Sequence, residues 1–211
     1  MDKYQKIQTI FLRDPENKYK TLLEGQFAKP EFDYLADLEW IFTEKIHGMN
    51  MRIIWDGEEV IFKGRTDNAQ IPNDLLENLK AQFIDSEVFD GIDPMTLYGE
   101  GYGAGIQKGG GNYRPDKGFI LFDIKALNGW LPFAEMVEQA RSIQETTFLE
   151  VAPVILRGTL LEAVEKTRAG FNSLCSAEVH TAEGLVGRPP VEMRNRWGER
   201  VITKIKHADF S

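Results

Sequence analysis

The chain has 211 residues, a mass of 24.1 kDa, a net charge of −8 and a pI of about 5.0. Its apolar fraction of 42% and charged fraction of 27% are those of a soluble globular protein, which excludes disordered, collagenous, coiled-coil and disulfide-knot classes. The length predicts one domain over residues 1–211, able to bury roughly 70% of its unfolded surface without a disulfide or metal.

Eight runs in chain order read as strands: 40–45, 50–55, 59–63, 95–99, 119–124, 151–156, 183–186 and 201–206. They are short, rich in β-branched or aromatic residues, and bounded by Gly, Pro, Asn or Asp. Asp56-Gly57 between the second and third is a hairpin signal. Three helices are predicted. Asn73 caps the first, with Leu76, Leu79 and Phe83 on one face. The second spans 133–145, with Met136, Val137, Ala140 and Ile143 together. Thr159 caps the third, which carries Leu160, Leu161 and Val164. Strands outnumber helices and do not alternate with them, so the expected class is α+β with antiparallel sheets. Between residues 99 and 118, eight of twenty positions are glycine, which lets backbone turn tightly or approach a ligand.

No apolar stretch approaches the roughly 18 residues of a membrane span, and Met1-Asp2-Lys3-Tyr4 lacks an apolar leader. The single cysteine, Cys175, cannot form an intrachain disulfide and fits a reducing, cytoplasmic compartment. The acidic balance argues against a protein that coats nucleic acid, because phosphate binding needs clustered Lys and Arg; a local basic groove remains open. Three histidines without metal-spaced partners give no zinc site.

Several segments could carry chemistry. Lys45-Ile46-His47-Gly48-Met49-Asn50 puts an amine at the end of an apolar strand, before a turn glycine. Such an amine becomes a nucleophile when burial and neighbouring cations lower its pKa. The Lys-x-x-Gly spacing alone is unspecific: 14 lysines and 19 glycines in 211 positions give about one match by chance, and Lys108 to Gly111 is a second one. Taken alone, Lys45 reads first as a solvated strand end. In 201–206, period two puts Lys204 and Lys206 on one face and Val201, Thr203 and Ile205 on the other. Two lysines so placed can neutralise a phosphate, or guard an edge strand against aggregation. Glu183 precedes Gly184-Leu185-Val186, and a carboxylate there can bind Mg²⁺ or a ribose hydroxyl. Phe122, in the run Phe119 to Ile124, is either a base-stacking platform or core packing.

The set and its order are more specific than any member. Glu44-Lys45-Ile46-His47-Gly48, Arg65 twenty residues after Lys45, Gly99-Glu100 with Gly105-Ile106-Gln107-Lys108, Phe122-Asp123-Ile124, Glu183-Gly184-Leu185-Val186 and Lys204-Ile205-Lys206 follow one another. This series resembles the covalent nucleotidyltransferase superfamily of polynucleotide ligases and mRNA capping enzymes. The likeness is closest to the phage-type nick-sealing RNA ligases, and it covers roughly residues 40–210.

The resemblance implies an α+β adenylyltransferase domain, with antiparallel sheets and flanking helices around an ATP cleft. It implies that Lys45 attacks the α-phosphorus of ATP and becomes lysyl–AMP. The AMP then passes to a 5′-phosphate, and a 3′-hydroxyl displaces it to join the strand. Lys204 and Lys206 contact the α-phosphate and tune Lys45. Phe122 stacks on adenine, Glu100 holds the ribose, Arg65 contacts ribose or phosphate, and Glu183 serves a Mg²⁺ or Mn²⁺ ion. Glu44, Ile46, His47 and Asn50 complete the nucleotide-binding set. The implied substrate is nucleic acid with 5′-phosphate and 3′-hydroxyl ends, nicked duplex RNA first and DNA second. A non-catalytic nucleotide-binding module with this fold is the alternative from another class. Residues 1–39 are patterned unlike a nicotinamide-mononucleotide module, which favours ATP over NAD. The chain ends five residues after Lys206, so no OB or other C-terminal domain is expected, which leaves room for a separate nucleic-acid-binding partner.

Overall fold

In chain order the strands are β1 (Gln8–Thr9), β2 (Phe11–Arg13), β3 (Leu22–Phe27), β4 (Trp40–Glu44), β5 (Met49–Trp55), β6 (Val60–Gly64), β7 (Met95–Gly103), β8 (Lys117–Ala126), β9 (Gly129–Trp130), β10 (Glu150–Val151), β11 (Val154–Gly158), β12 (Gly184–Arg188) and β13 (Thr203–Lys206). The helices are α1 (Pro30–Tyr34), α2 (Asn73–Phe83), α3 (Phe133–Gln144) and α4 (Leu160–Ala169). This computed structural model describes residues 3–84 and 88–210; Met1 and Asp2 of the N-terminal motif and Ser211 lie outside the described residues.

The chain forms two units, each assembled from separated stretches of sequence. The first draws on residues 3–5, 47–152 and 175–178. Its sheet runs in the order β10-β8-β7-β5-β6, with β9 beside β8. All its pairings are antiparallel except β10 with β8. Both α2 and α3 pack against β8. Leu75, Leu79 and Phe83 of α2 are buried, as are Phe133, Met136, Ala140 and Ile143 of α3.

The second unit draws on residues 6–46, 153–174 and 179–210. Its sheet runs β1-β13-β12-β4-β11, with β1 parallel to β13 and the rest antiparallel. A separate hairpin joins β2 to β3. Ile10, Phe32, Trp40, Phe42, Leu160 and Leu185 are fully buried in its core. Every residue of β4 is buried, because strands flank it on both edges and α4 packs on its neighbours β11 and β12.

Each of the eight predicted runs contains a strand. β7 and β8 extend further than expected, and the 151–156 run divides into β10 and β11. The break falls at Ala152 and Pro153, where the chain passes from one unit to the other. Pro153 has no N–H to donate to a ladder.

Three helix details are corrected. Pro72, not Asn73, is the N-cap of α2, and Asn73 makes no side-chain cap bond. The buried face of α2 runs Leu75, Leu79, Phe83, an i, i+4, i+8 row that leaves Leu76 half-buried. In α4, Leu161 is 49% exposed, and the buried face is Leu160, Ala163, Val164 and Thr167. The Thr159 cap is present as a full capping box with Glu162. The elements before Trp40 lie outside the predicted runs: β1, β2 and α1 have only two, three and five residues, and the six-residue β3 is interrupted by Gly25 at a φ of 81°.

Candidate active site

The lysines converge in the second unit. β12 lies between β4 and β13, so the C-terminal end of β4 and that of β13 meet opposite the start of β12. Lys45 follows Glu44, the last residue of β4, and its N–H donates to the Gly184 carbonyl at 2.9 Å. Lys206 pairs with Gly184 across β12 and β13. Glu183 therefore stands between them. Lys45 Nζ lies 2.8 Å from Glu183 Oε2, and Lys206 Nζ lies 2.7 Å from Oε1. One carboxylate thus bridges two ammonium groups. Gly184 is required next to it: φ is 150°, and a Cβ there would overlap the Ile205 carbonyl oxygen.

Burial opposes ionisation of Glu183, but Lys45 and Lys206 outweigh it and hold the carboxyl below its ordinary 4.5. Lys204 moves the other way from its own norm. Burial first, then repulsion from Lys206, Lys45 and Arg13, pulls its ammonium pKa below 10.5, with Asp209 opposing. Thr203 and Ile205 are buried while Lys204 and Lys206 are half-exposed, so the alternation expected along this strand is present. Glu44 is 2% exposed, and its carboxylate accepts from the Ser173 hydroxyl and from Leu174 N–H at 2.8 Å. It fastens the 173–174 segment. The Ile46 side chain is buried.

The remaining predicted site residues belong to the first unit. Asn50 of β5 pairs in register with Glu100 of β7. Glu100 Oε1 accepts from Gly48 N–H at 3.1 Å, and a Cβ on Gly48 would overlap the Gly101 carbonyl. The glycine of the Lys-x-x-Gly motif is thus demanded by close packing on β7. Asn50 Oδ1 is buried without a hydrogen-bond partner among the described residues. His47 is exposed, and its N–H donates to the Tyr113 hydroxyl at 3.3 Å. Arg65 is exposed on the turn after β6, the edge strand.

Phe122 occupies an irregular position. Tyr98 pairs with Asp123 and Gly99 with Leu121, so Phe122 is the extra residue of a bulge in β8. Leu121 and Asp123 are fully buried, whereas Phe122 is half-buried, with the Tyr4 ring edge-on at 5.0 Å. Tyr4 also donates to Asp123 Oδ2 at 2.7 Å. Lys108 is exposed in the loop between β7 and β8.

Four residues near these groups were not foreseen: Tyr4, Arg13, Ser173 and Asp209. Arg13 Nη2 pairs with Asp209 Oδ1 at 2.7 Å, across 196 positions of sequence. β1 brings that end of the chain in by pairing Thr9 with Lys204. No local pattern signals a contact of that range. Among the described residues, no group of three or more His, Cys, Asp or Glu side chains could hold a metal by itself, and no helix is long and apolar enough to cross a membrane.

The family model for RNA ligase matches residues 38–206, and the chain belongs to the RNA ligase family. Its fold is similar to that of solved Naegleria gruberi RNA ligase structures. A mutant of that ligase with ATP and Mn gives a TM-score of 0.71 at 16% identity, over 98% of this chain and 56% of that one. A mutant with AMP and Mn gives 0.69 at 16% identity, with the same coverage. The same ligase with PPi gives 0.65 at 16% identity, again over 98% and 56%. The chain therefore spans about half the length of these solved relatives. The α+β nucleotidyltransferase fold expected from the motifs is the fold that the chain has.

Proposed function

We propose that this chain is the adenylyltransferase part of an ATP-dependent RNA ligase, with Lys45 as the nucleophile. The observation that carries the reading is the Lys45–Glu183–Lys206 bridge with Lys204 alongside, inside the region that matches the RNA ligase family. Lys45 Nζ gives up its proton and its contact with Glu183 and bonds to the α-phosphorus. The bond from that phosphorus to the pyrophosphate oxygen breaks. Lys204 and Lys206 offset negative charge on the transferring group, work that in phosphoryl transfer is mostly electrostatic. AMP then passes to an RNA 5′-phosphate, and a 3′-hydroxyl displaces it. In the first unit, Phe122 serves the adenine and Glu100 the ribose, with Asn50, His47 and Arg65 completing the nucleotide contacts. The solved relatives that hold ATP or AMP with Mn support the nucleotide and the metal.

Glu183 fits a divalent cation of the kind that takes one carboxylate and completes its shell with substrate phosphates and water. Because both Glu183 oxygens carry ammonium groups, such an ion must share the carboxylate with a lysine or displace one. When bound, it would neutralise charge on the polyphosphate.

The favoured substrate is nicked duplex RNA, met in the cytoplasm. The test is joining of nicked duplexes that differ only in having RNA or DNA at the 3′-hydroxyl strand. The expected result is sealing of the RNA nick, lost in Lys45→Ala. Sealing of the DNA nick alone would overturn the RNA assignment.

A further inference from the structure

The segment between Arg188 and Thr203 is unexplained by adenylyl transfer. It leaves β12 and returns as β13, and its tip carries Arg194, Arg196 and Trp197. Three of the four tryptophans are buried or half-buried, but Trp197 is 67% exposed. Arg196 Cζ stands 4.1 Å from the centre of its ring. Within this hairpin the acidic side chains are already engaged. Glu192 takes Arg200 through two contacts of 2.6 and 2.8 Å, and Glu199 takes Lys29 at 2.8 Å. Arg194 and Arg196 are exposed and make no ion pair among the described residues. In a chain of net charge −8, two unneutralised arginines beside an exposed indole, one face of which Arg196 covers, form a local exception to the acidic surface.

The tip is also held in shape. Asn195 Oδ1 accepts from Trp197 N–H at 3.0 Å and Glu199 N–H at 2.9 Å. Gly198 N–H donates to the Asn195 carbonyl at 2.9 Å, and Asn195 N–H to that of Glu199 at 2.8 Å. A side chain presented on a fixed turn loses little entropy when it binds. An indole with an open face stacks on any unpaired base, and guanidinium groups pair with the flanking phosphates. Gly187 pairs with Thr203 and Gly184 with Lys206, so the hairpin leaves the ladder at the end opposite Glu183. At about 3.3 Å per residue, β12 alone separates them by about 13 Å.

We propose that the 191–200 hairpin is a single-stranded RNA contact, with Trp197 stacking on an unpaired base and Arg194 and Arg196 on the phosphates beside it. This rests on the RNA ligase reading for its choice of RNA, and it adds a binding surface remote from the lysines.

The test uses the whole chain and a short unstructured RNA oligonucleotide. Binding should quench tryptophan fluorescence in the wild type and not in Trp197→Phe, which keeps the ring but not the reporter. By anisotropy with a labelled oligonucleotide, Trp197→Ala should bind about tenfold more weakly, and Trp197→Phe close to wild type. Arg194→Ala combined with Arg196→Ala should flatten the plot of log affinity against log salt by about 1.4. Lysyl–AMP formation should be the same in all these variants. Wild-type affinity in Trp197→Ala, or an unchanged salt slope in the double variant, overturns the proposal. So does a change in oligomeric state in Trp197→Ala with RNA binding intact, which would make the tip a protein contact. Failure of the wild type to form lysyl–AMP would instead count against the ligase reading, while the RNA titration would still judge the hairpin.

Discussion

Glu183 and Lys204 show opposite outcomes of the same contest between burial and charge. At Glu183 two lysines outweigh desolvation, so the folded pKa lies below 4.5. A depressed carboxyl pKa contributes stability that is fully present above about pH 4.5 and is lost as pH falls through the folded value. Glu183→Gln leaves two ammonium groups without their shared anion. It should lower the melting temperature at pH 7, and its deficit against wild type should shrink as the pH drops below 4.5; a deficit that stays constant to pH 3 would mean that the bridge adds nothing. Lys204 has burial and like charges against it, so its ammonium form burdens the fold. That burden is complete below the depressed pKa and fades as pH rises toward 10.5. Lys204→Met should therefore melt higher than wild type at pH 7, by a margin that narrows by pH 10, while losing adenylylation. A lower melting temperature at pH 7 would show that Lys204 is held there by favourable contacts. Stability given up for a charged, reactive site is a common trade.

Among the elements, the β8 bulge separates two phenylalanine roles that sequence pattern leaves open. A regular strand would give Phe122 a ladder partner, but the bulge sets it outside the pairing and half-buried. Phe122→Ala should weaken ATP binding by about tenfold, the scale of one base stack. Its thermal penalty should be smaller than that of Leu121→Ala, whose side chain is fully buried. Equal thermal penalties with unchanged ATP affinity would return Phe122 to the core. The bulge itself was not legible, since it is a property of how β7 and β8 register. Gly48 was legible as a turn glycine, whereas the close approach that excludes a Cβ at Gly184 appears only in the structure. Helix faces are legible to within one or two positions: the pattern turns Leu76 and Leu161 inward, whereas the packing buries Leu75 and Ala163.

At the level of the whole molecule, the residues proposed to react stand out in the sequence because each sits at a strand end beside a glycine or on an alternating strand. Lys45, Glu183, Lys204 and Lys206 were legible as members of one ordered series. The engagement of Lys45 and Lys206 through the single Glu183 carboxylate was not, because it depends on β12 lying between β4 and β13. The Arg13–Asp209 pair was hidden for the same kind of reason, being made by a two-residue strand pairing with the far end of the chain. The division into two units was equally invisible. The chain passes between them after Gln5, Ile46, Ala152, Leu174 and Glu178, the second of these inside the Lys-x-x-Gly motif, with no linker composition at any of them.

The most direct test of the central claim is to incubate the chain with ATP and a divalent metal and map any covalent AMP by peptide mass spectrometry. The account predicts one AMP per chain, on Lys45, stable to base and labile to acid as a phosphoramidate is, and absent from Lys45→Ala. An adduct on Lys108 or elsewhere, or one that persists in Lys45→Ala, would contradict it.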